Sequence, residues 1–257
     1  MPVSTANTVE VKSPQEIAIM RDAGVIVGEV LEMLRGAAAP GVSTGELDKL
    51  AESEIRKRKA VPAFLGYRGY TATLCASINE EVVHGIPSPK RKLKAGDIIG
   101  LDLGCILKGF YADSAITVPI GKVSKEIHGL IDTTRDSLYK GIEQMKVGNR
   151  IGDISHAVQA AAEAKGFSVV RAFVGHGVGR QLHESPAVPN YGKPGTGPRL
   201  VEGMVLAIEP MVNQGGPDVK ILEDGWTAVT MDGGWSAHFE HSVAVTDKGP
   251  KILTEVH

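Results

Sequence analysis

Cysteine is scarce in this sequence: Cys75 and Cys105 are the only two among 257 residues. Two thiols exclude a small secreted scaffold stapled by disulfides and fit a reducing, cytosolic compartment better. No apolar run approaches the ~20 residues that a membrane helix needs, so no span is expected. The first residues, Met1 to Val11, are polar and carry Glu10 where a secretory signal would be basic. Net charge is slight too. A formal −2 gives no global attraction for nucleic acid or an anionic membrane. Low-complexity stretches and long linkers are also missing. What is present, 42% apolar and 23% charged residues, is the composition of a folded soluble chain with a sizeable core.

Cap and turn residues divide the chain into the same order twice. Ser13-Pro14-Gln15-Glu16 has the form of a capping box with proline at the first helical position. Ile17, Met20, Ala23, Gly24, Val27, Val30, Leu31 and Leu34 then recur at helical spacing, predicting a helix to about Arg35. Pro40-Gly41 ends it, and a second capping box, Ser43 to Glu46, opens a helix to about Lys59. Short β-branched runs follow at 71–78, 98–106 and 110–119. Helical patterns return over 124–146 and 151–165, then strands over 168–174, 204–212, 226–230 and 238–246. Weak identity supports a duplication. Glu16-Ile17 recurs as Glu126-Ile127, and Gly41, Gly45, Glu46 and Leu47 recur as Gly148, Gly152, Asp153 and Ile154. The expected architecture is a tail over 1–12 and one α/β (α+β) domain over 13–257. Its halves, about 13–120 and 124–250, would share a curved antiparallel sheet with four helices on one face.

Basic residues are missing from the strands where carboxylates are most conspicuous. Asp102 lies in Ile99-Gly100-Leu101-Asp102-Leu103-Gly104, and Asp113 in Gly109-Phe110-Tyr111-Ala112-Asp113-Ser114. A tight turn near 107–109 would make these strands a hairpin, with the two carboxylates nearly opposite and about 5 Å apart at Cα. Glu209 in Leu206-Ala207-Ile208-Glu209-Pro210-Met211 and Glu240 in His238-Phe239-Glu240-His241-Ser242-Val243 repeat the theme. His176 and His183 lie in Gly175-His176-Gly177-Val178-Gly179-Arg180-Gln181-Leu182-His183-Glu184, whose alternating glycines exclude a helix. Buried carboxylates need compensating positive charge. Two divalent ions held by Asp102, Asp113, His176, Glu209 and Glu240 would balance four of them. An oxygen-rich set with one imidazole and no thiolate is no structural zinc site, and suits manganese, iron or cobalt at least as well as zinc. A pair of ions sharing ligands activates water, so hydrolysis is the expected chemistry.

Five segments then carry a resemblance. Asn79-Glu80-Glu81-Val82-Val83-His84-Gly85-Ile86-Pro87, Leu101-Asp102-Leu103-Gly104, Gly175-His176-Gly177-Val178-Gly179, Ile208-Glu209-Pro210-Met211 and Phe239-Glu240-His241-Ser242 resemble, in order, the type I methionine aminopeptidases. The resemblance runs from about Ser13 to the C-terminus. It implies the duplicated pita-bread fold and co-translational removal of the initiator methionine from nascent chains whose second residue is small. It implies that Asp113 and Glu240 bridge two divalent ions (cobalt, manganese, iron or zinc). Asp102 would chelate one ion, and His176 with Glu209 would complete the other. Glu209 would also shuttle a proton, His183 would stabilise the tetrahedral intermediate, and His84 would hydrogen-bond near the scissile nitrogen. The methionine pocket would fall on Phe64, Tyr67, Tyr70, Cys75, Leu182 and Trp226. Phe64 stands where a cysteine is common in bacterial relatives and Leu182 where an aromatic is common. Both are apolar, so a narrow slot of altered shape is expected.

Only 25 residues separate His183 from Glu209, too few for the insertion of type II enzymes. With no zinc-finger extension, a compact, monomeric, bacterial-type enzyme is expected. The start Met1-Pro2-Val3 would itself suit methionine removal. Lys90-Arg91-Lys92-Leu93-Lys94 is a basic stretch that could touch the ribosome or simply be a solvated loop. Two alternatives compete. One is an aminopeptidase P or prolidase, which usually carries a large additional N-terminal domain. The other is a metal-free binding protein on the same fold, which should have lost ligands.

Overall fold

Each helix begins where a side chain can take up its free N–H groups. In the computed structural model, which describes residues 9–256, α1 spans Pro14–Ala37 and α2 spans Thr44–Lys57. Ser13 and Ser43 accept from the N–H of Glu16 and Glu46, whose carboxylates accept in return from the serine N–H groups at 2.8 Å. α3 spans Lys125–Ile142 behind Ser124, and α4 spans Ile151–Glu163 with the Asp153 carboxylate taking the Arg150 N–H at 2.7 Å. Most of the tail expected over 1–12, including Met1-Pro2-Val3, lies outside the described residues. Among these no helix is long and apolar enough to cross a membrane.

A nine-stranded antiparallel sheet runs through both halves. Its path is Val61–Pro62, Ile98–Leu107, Phe110–Pro119, Glu240–Thr246, Val205–Ile208, Gly175–Gly177 and Glu184–Val188. Leu74–Ile78 adds to the second of these strands and Gly249–Ile252 to the fourth. Ile99, Leu101, Leu103 and Cys105, with Ala112, Ile116 and Val118 across the hairpin, are buried in one core with apolar residues of all four helices. Each aliphatic side chain of that size contributes about 1.5–3 kcal/mol when fully buried. Alternation along a strand then forces Asp102 and Asp113 onto the opposite face.

The register refines the expected near-opposition of the two aspartates. Lys108 (φ 50°) and Gly109 (φ 82°) are both left-handed, the pair that a two-residue hairpin turn requires. Leu107 therefore faces Phe110, Gly104 faces Asp113, and Asp102 faces Ala115. The turn centre, between Lys108 and Gly109, lies within the expected 107–109, and the partner of Asp113 is Gly104, two residues from Asp102. A shift of two preserves the face, so the aspartates are diagonal neighbours rather than opposite ones.

Other strands are shorter than predicted for identifiable reasons. The run 204–212 breaks into Val205–Ile208 and Met211–Asn213 because Pro210 has no N–H to give a ladder. The run 168–174 keeps only Ser168–Val169, since its partner strand Met211–Asn213 is itself short. Trp226 precedes its strand, Ala228–Thr230, in a turn where the Asp224 carboxylate accepts from its N–H. The run 238–246 divides into Ser236–His238 and Glu240–Thr246. The halves nonetheless repeat in detail. Gly41 and Gly148 are both left-handed, at φ 91° and 95°, and isolated bridges join Ser43 to Lys92 and Arg150 to Arg199.

Candidate active site

The acidic residues lie in two adjacent rows across the sheet, on the face away from the helices. In the first row Cys75 faces Asp102, Asp102 faces Ala115, and Ala115 faces Glu240. Glu209 comes just after Ile208, whose partner is His241 beside Glu240. In the second row Gly104 faces Asp113, while Ala207 faces both Ser242 and His176. Small residues separate the charged ones, and that spacing leaves a cavity of about 190 Å³. Every candidate site residue named from the sequence lines it, joined by Arg68 alone.

Charge inside this cavity is uncompensated by the protein. Burial, then the charge of Asp113, pushes Asp102 well above the usual carboxylate range. Burial pushes Asp113 up to about 7. Glu209 and Glu240 are raised by burial first and by the neighbouring carboxylates second. Oδ1 of Asp102, Oδ1 of Asp113 and Oε1 of Glu240 are buried without any hydrogen-bond partner. Ligand atoms of Asp113, His176 and Glu240 lie within 4.8 Å of one another. Orphaned carboxylate oxygens beside a neutral imidazole are what a divalent cation fits.

The three histidines of the cavity wall are all shifted toward their neutral form. Burial pulls His176 down to about 3, with His183 adding to the effect, and His84 down to about 4. His183 is lowered by burial and then by the positive charge of Arg68. The Tyr67 hydroxyl lies 2.7 Å from His183 Nδ1 and fixes the ring. His84 holds a left-handed backbone (φ 62°) and meets the edge of Phe173 at 5.4 Å. Tyr70, Cys75, Phe64 and Leu182 form an apolar cluster, and Trp226 packs edge-on to Tyr70 at 5.0 Å.

Two positions beside the site carry no motif in the sequence. His238 is buried, is pulled down to about 3 by burial, and points Nε2 at Glu209 Oε2, 3.7 Å away. Its sequence signal was parity, since it stands two residues before Glu240. Lys12, assigned to the tail, is buried and ion-paired with Glu184, the residue after His183. Arg180 of the same loop bonds Glu16 at 2.9 Å and stacks over Phe110 at 4.4 Å. The segment bearing Leu182 and His183 is thus clamped at both ends. In the basic stretch, Arg91 is occupied by the Glu81 carboxylate at 2.6 Å. Lys90, Lys92 and Lys94 are exposed and make no ion pair among the described residues.

Comparison with known proteins agrees with this geometry. Residues 18–247 match metallopeptidase family M24. The chain is 54% identical over 244 residues to a methionine aminopeptidase of Clostridium acetobutylicum, covering 95% of this chain and 98% of that one. It is 53% identical over 245 residues to methionine aminopeptidase 1 of Bacillus subtilis, with the same coverage of 95% and 98%. Its structure matches that of a Thermotoga maritima methionine aminopeptidase with a TM-score of 0.96 at 45% identity, covering 97% of this chain and 100% of the other. A prolidase from Pyrococcus furiosus shares the fold at 21% identity and a TM-score of 0.78, with coverage of 96% and 66%.

Proposed function

This chain belongs to metallopeptidase family M24, among its methionine aminopeptidases, and on that premise we propose how its residues divide the work of removing an N-terminal methionine. The enzyme is a metal-dependent hydrolase that takes the initiator methionine from protein N-termini. Asp102, Asp113, His176, Glu209 and Glu240 would together hold two divalent ions. Bound there, such ions supply Lewis-acid polarisation of the scissile carbonyl and an activated water.

The remaining steps fall to the chain's own groups. Glu209, whose carboxylate is raised by burial, takes a proton from the attacking water and returns it to the departing amine. With the Tyr67 hydroxyl donating to Nδ1 of His183, Nε2 carries the hydrogen and donates to the developing oxyanion. His84, kept neutral by burial, hydrogen-bonds the scissile nitrogen. Phe64, Tyr67, Tyr70, Cys75, Leu182 and Trp226 hold the unbranched thioether and exclude water. The second substrate residue lies against the His84 and His183 rings, which favours a small side chain. The reading extends to co-translational action by a cytoplasmic monomer, with Lys90, Lys92 and Lys94 touching the ribosome and Arg91 held back by Glu81.

The observation that carries this reading is the set of buried carboxylate oxygens with no protein partner. The test is hydrolysis of Met-Ala-Ser by metal-stripped protein titrated with Mn²⁺, Fe²⁺, Co²⁺ and Zn²⁺. Stripped protein should be inactive, and activity should return with two ions bound per chain. Full activity without metal, or cleavage of Ala-Pro peptides alone, would overturn the assignment.

A further inference from the structure

Arg68 is the one group lining the cavity that this chemistry leaves unused. It stands at the mouth, exposed, at φ 48° and ψ 26°, a left-handed conformation uncommon for a residue with a Cβ. The loop is not slack. Gly66 N–H donates to Tyr70 O at 2.8 Å, Tyr67 N–H to Phe64 O at 2.9 Å, and Tyr70 N–H to Tyr67 O at 2.9 Å. Strained backbone persists only where its surroundings enforce it, and it gathers at functional sites. The guanidinium carbon lies 5.4 Å from the centre of the Tyr67 ring, whose hydroxyl reaches His183. No ion pair occupies Arg68 among the described residues, and it is the only lysine or arginine on the cavity wall.

The four carboxylates lie deep and the single cation lies at the rim. A substrate enters amine first, and Arg68 and His183 are the exposed residues of the wall, so its trailing chain leaves past them. We propose that Arg68 is a subsite for a carboxylate on the third or fourth residue of the substrate. A planar guanidinium with free donors matches a carboxylate at two points. The ligand would be an acidic side chain or, in a short peptide, the free C-terminus. This subsite rests on reading the cavity as a methionine aminopeptidase site.

The holoenzyme is assayed on amidated Met-Ala peptides carrying Glu or Gln at position three or four, and on Met-Ala-Ser as free acid and as amide. An exposed pair of this kind should favour Glu over Gln by about two- to fivefold in kcat/KM, expressed in KM. The preference should shrink between about 0.05 M and 0.5 M salt. Arg68→Gln should bring the ratio to one, Arg68→Lys should keep part of it, and Arg68→Glu should invert it. The exposed, distant Lys165→Gln should keep the wild-type ratio. Preference for the free acid alone would place the subsite's ligand at peptide C-termini, and preference in the amidated series at acidic side chains. A wild-type ratio of one in every series, or a ratio unchanged in Arg68→Gln, would sink the subsite. Failure of the wild type to cleave any Met-Ala peptide would instead sink the underlying reading.

Discussion

The first half of the chain makes its hairpin in one stroke, whereas the second makes the corresponding pair with a long interruption. Ile98–Leu107 and Phe110–Pro119 are joined by two residues, while Val205–Ile208 and Glu240–Thr246 are separated by residues 209–239. Asp102 and Asp113 stand diagonally on the first pair, while Glu240 stands on the second pair and Glu209 just beyond the end of its partner strand. The difference lies in what the interruption brings. It carries the Asp224 turn that seats Trp226, and it carries His238 against Glu209. Each half thus carries a pair of carboxylates, and the longer half also carries Trp226 and His238 beside them.

The comparison breaks if the two inner carboxylates are not equivalent. Asp113→Asn and Glu240→Gln should each lower kcat/KM on Met-Ala-Ser by more than the roughly 10–100-fold typical of a metal site's outer partners. Each should also reduce the ions bound per chain. His238→Ala should fall within that roughly 10–100-fold range with both ions retained; loss of an ion would make it a ligand. Next comes the seam between the N-terminal segment and the second half. Lys12→Met leaves Glu184 buried without its partner and should cost about 3–5 kcal/mol of stability, read by denaturant titration. It should also lower kcat through the loosened His183 loop, and Lys12→Arg should restore part of both.

Removing the metal separates the halves by charge. In stripped protein the raised carboxylates favour their protonated forms, so their contribution is present at low pH and lost as pH rises through the folded values, about 7 for Asp113. The buried histidines, lowered from 6.5, act in the opposite sense but only below that ordinary value. From pH 6.5 to about 8, the stripped protein should therefore lose stability and its Tm should fall. Each carboxyl group still protonated in the fold contributes at most about 1.4 kcal/mol to that loss for every pH unit climbed. Metal-loaded protein should show no such fall. The smallest effect tests the duplication itself. Gly41→Ala and Gly148→Ala place a Cβ in open space at left-handed φ and should each cost about 1–2 kcal/mol. Unequal losses of Tm would mean that the two turns are not equivalent.

Much of this is legible in the sequence. Capping boxes fixed the first two helix starts because they are local chemistry, and strand 110–119 was bounded correctly by its turn. The five acidic and histidine positions stood out because carboxylates are rare in apolar strands. What local pattern could not supply was register and partner length. The sequence places the aspartates nearly opposite, and their diagonal pairing is settled only by the φ of Lys108 and Gly109. Residues 171–174 read as strand but have no strand to pair with. Lys12 looked like tail because its partner is 172 residues away.

The Lys108-Gly109 turn therefore has a role that reaches beyond joining two strands. It works as a reading frame in three dimensions. One residue added there that enters the strand pairing would rotate Asp113 into the helix-packed core, toward Ile99, Leu101, Leu103 and Cys105, and turn Ala112, Ile116 and Val118 out of it. Two residues added would leave the frame intact. Insertions at this tip should alternate between inactive and active with each residue gained, a parity that activity on Met-Ala-Ser would read directly.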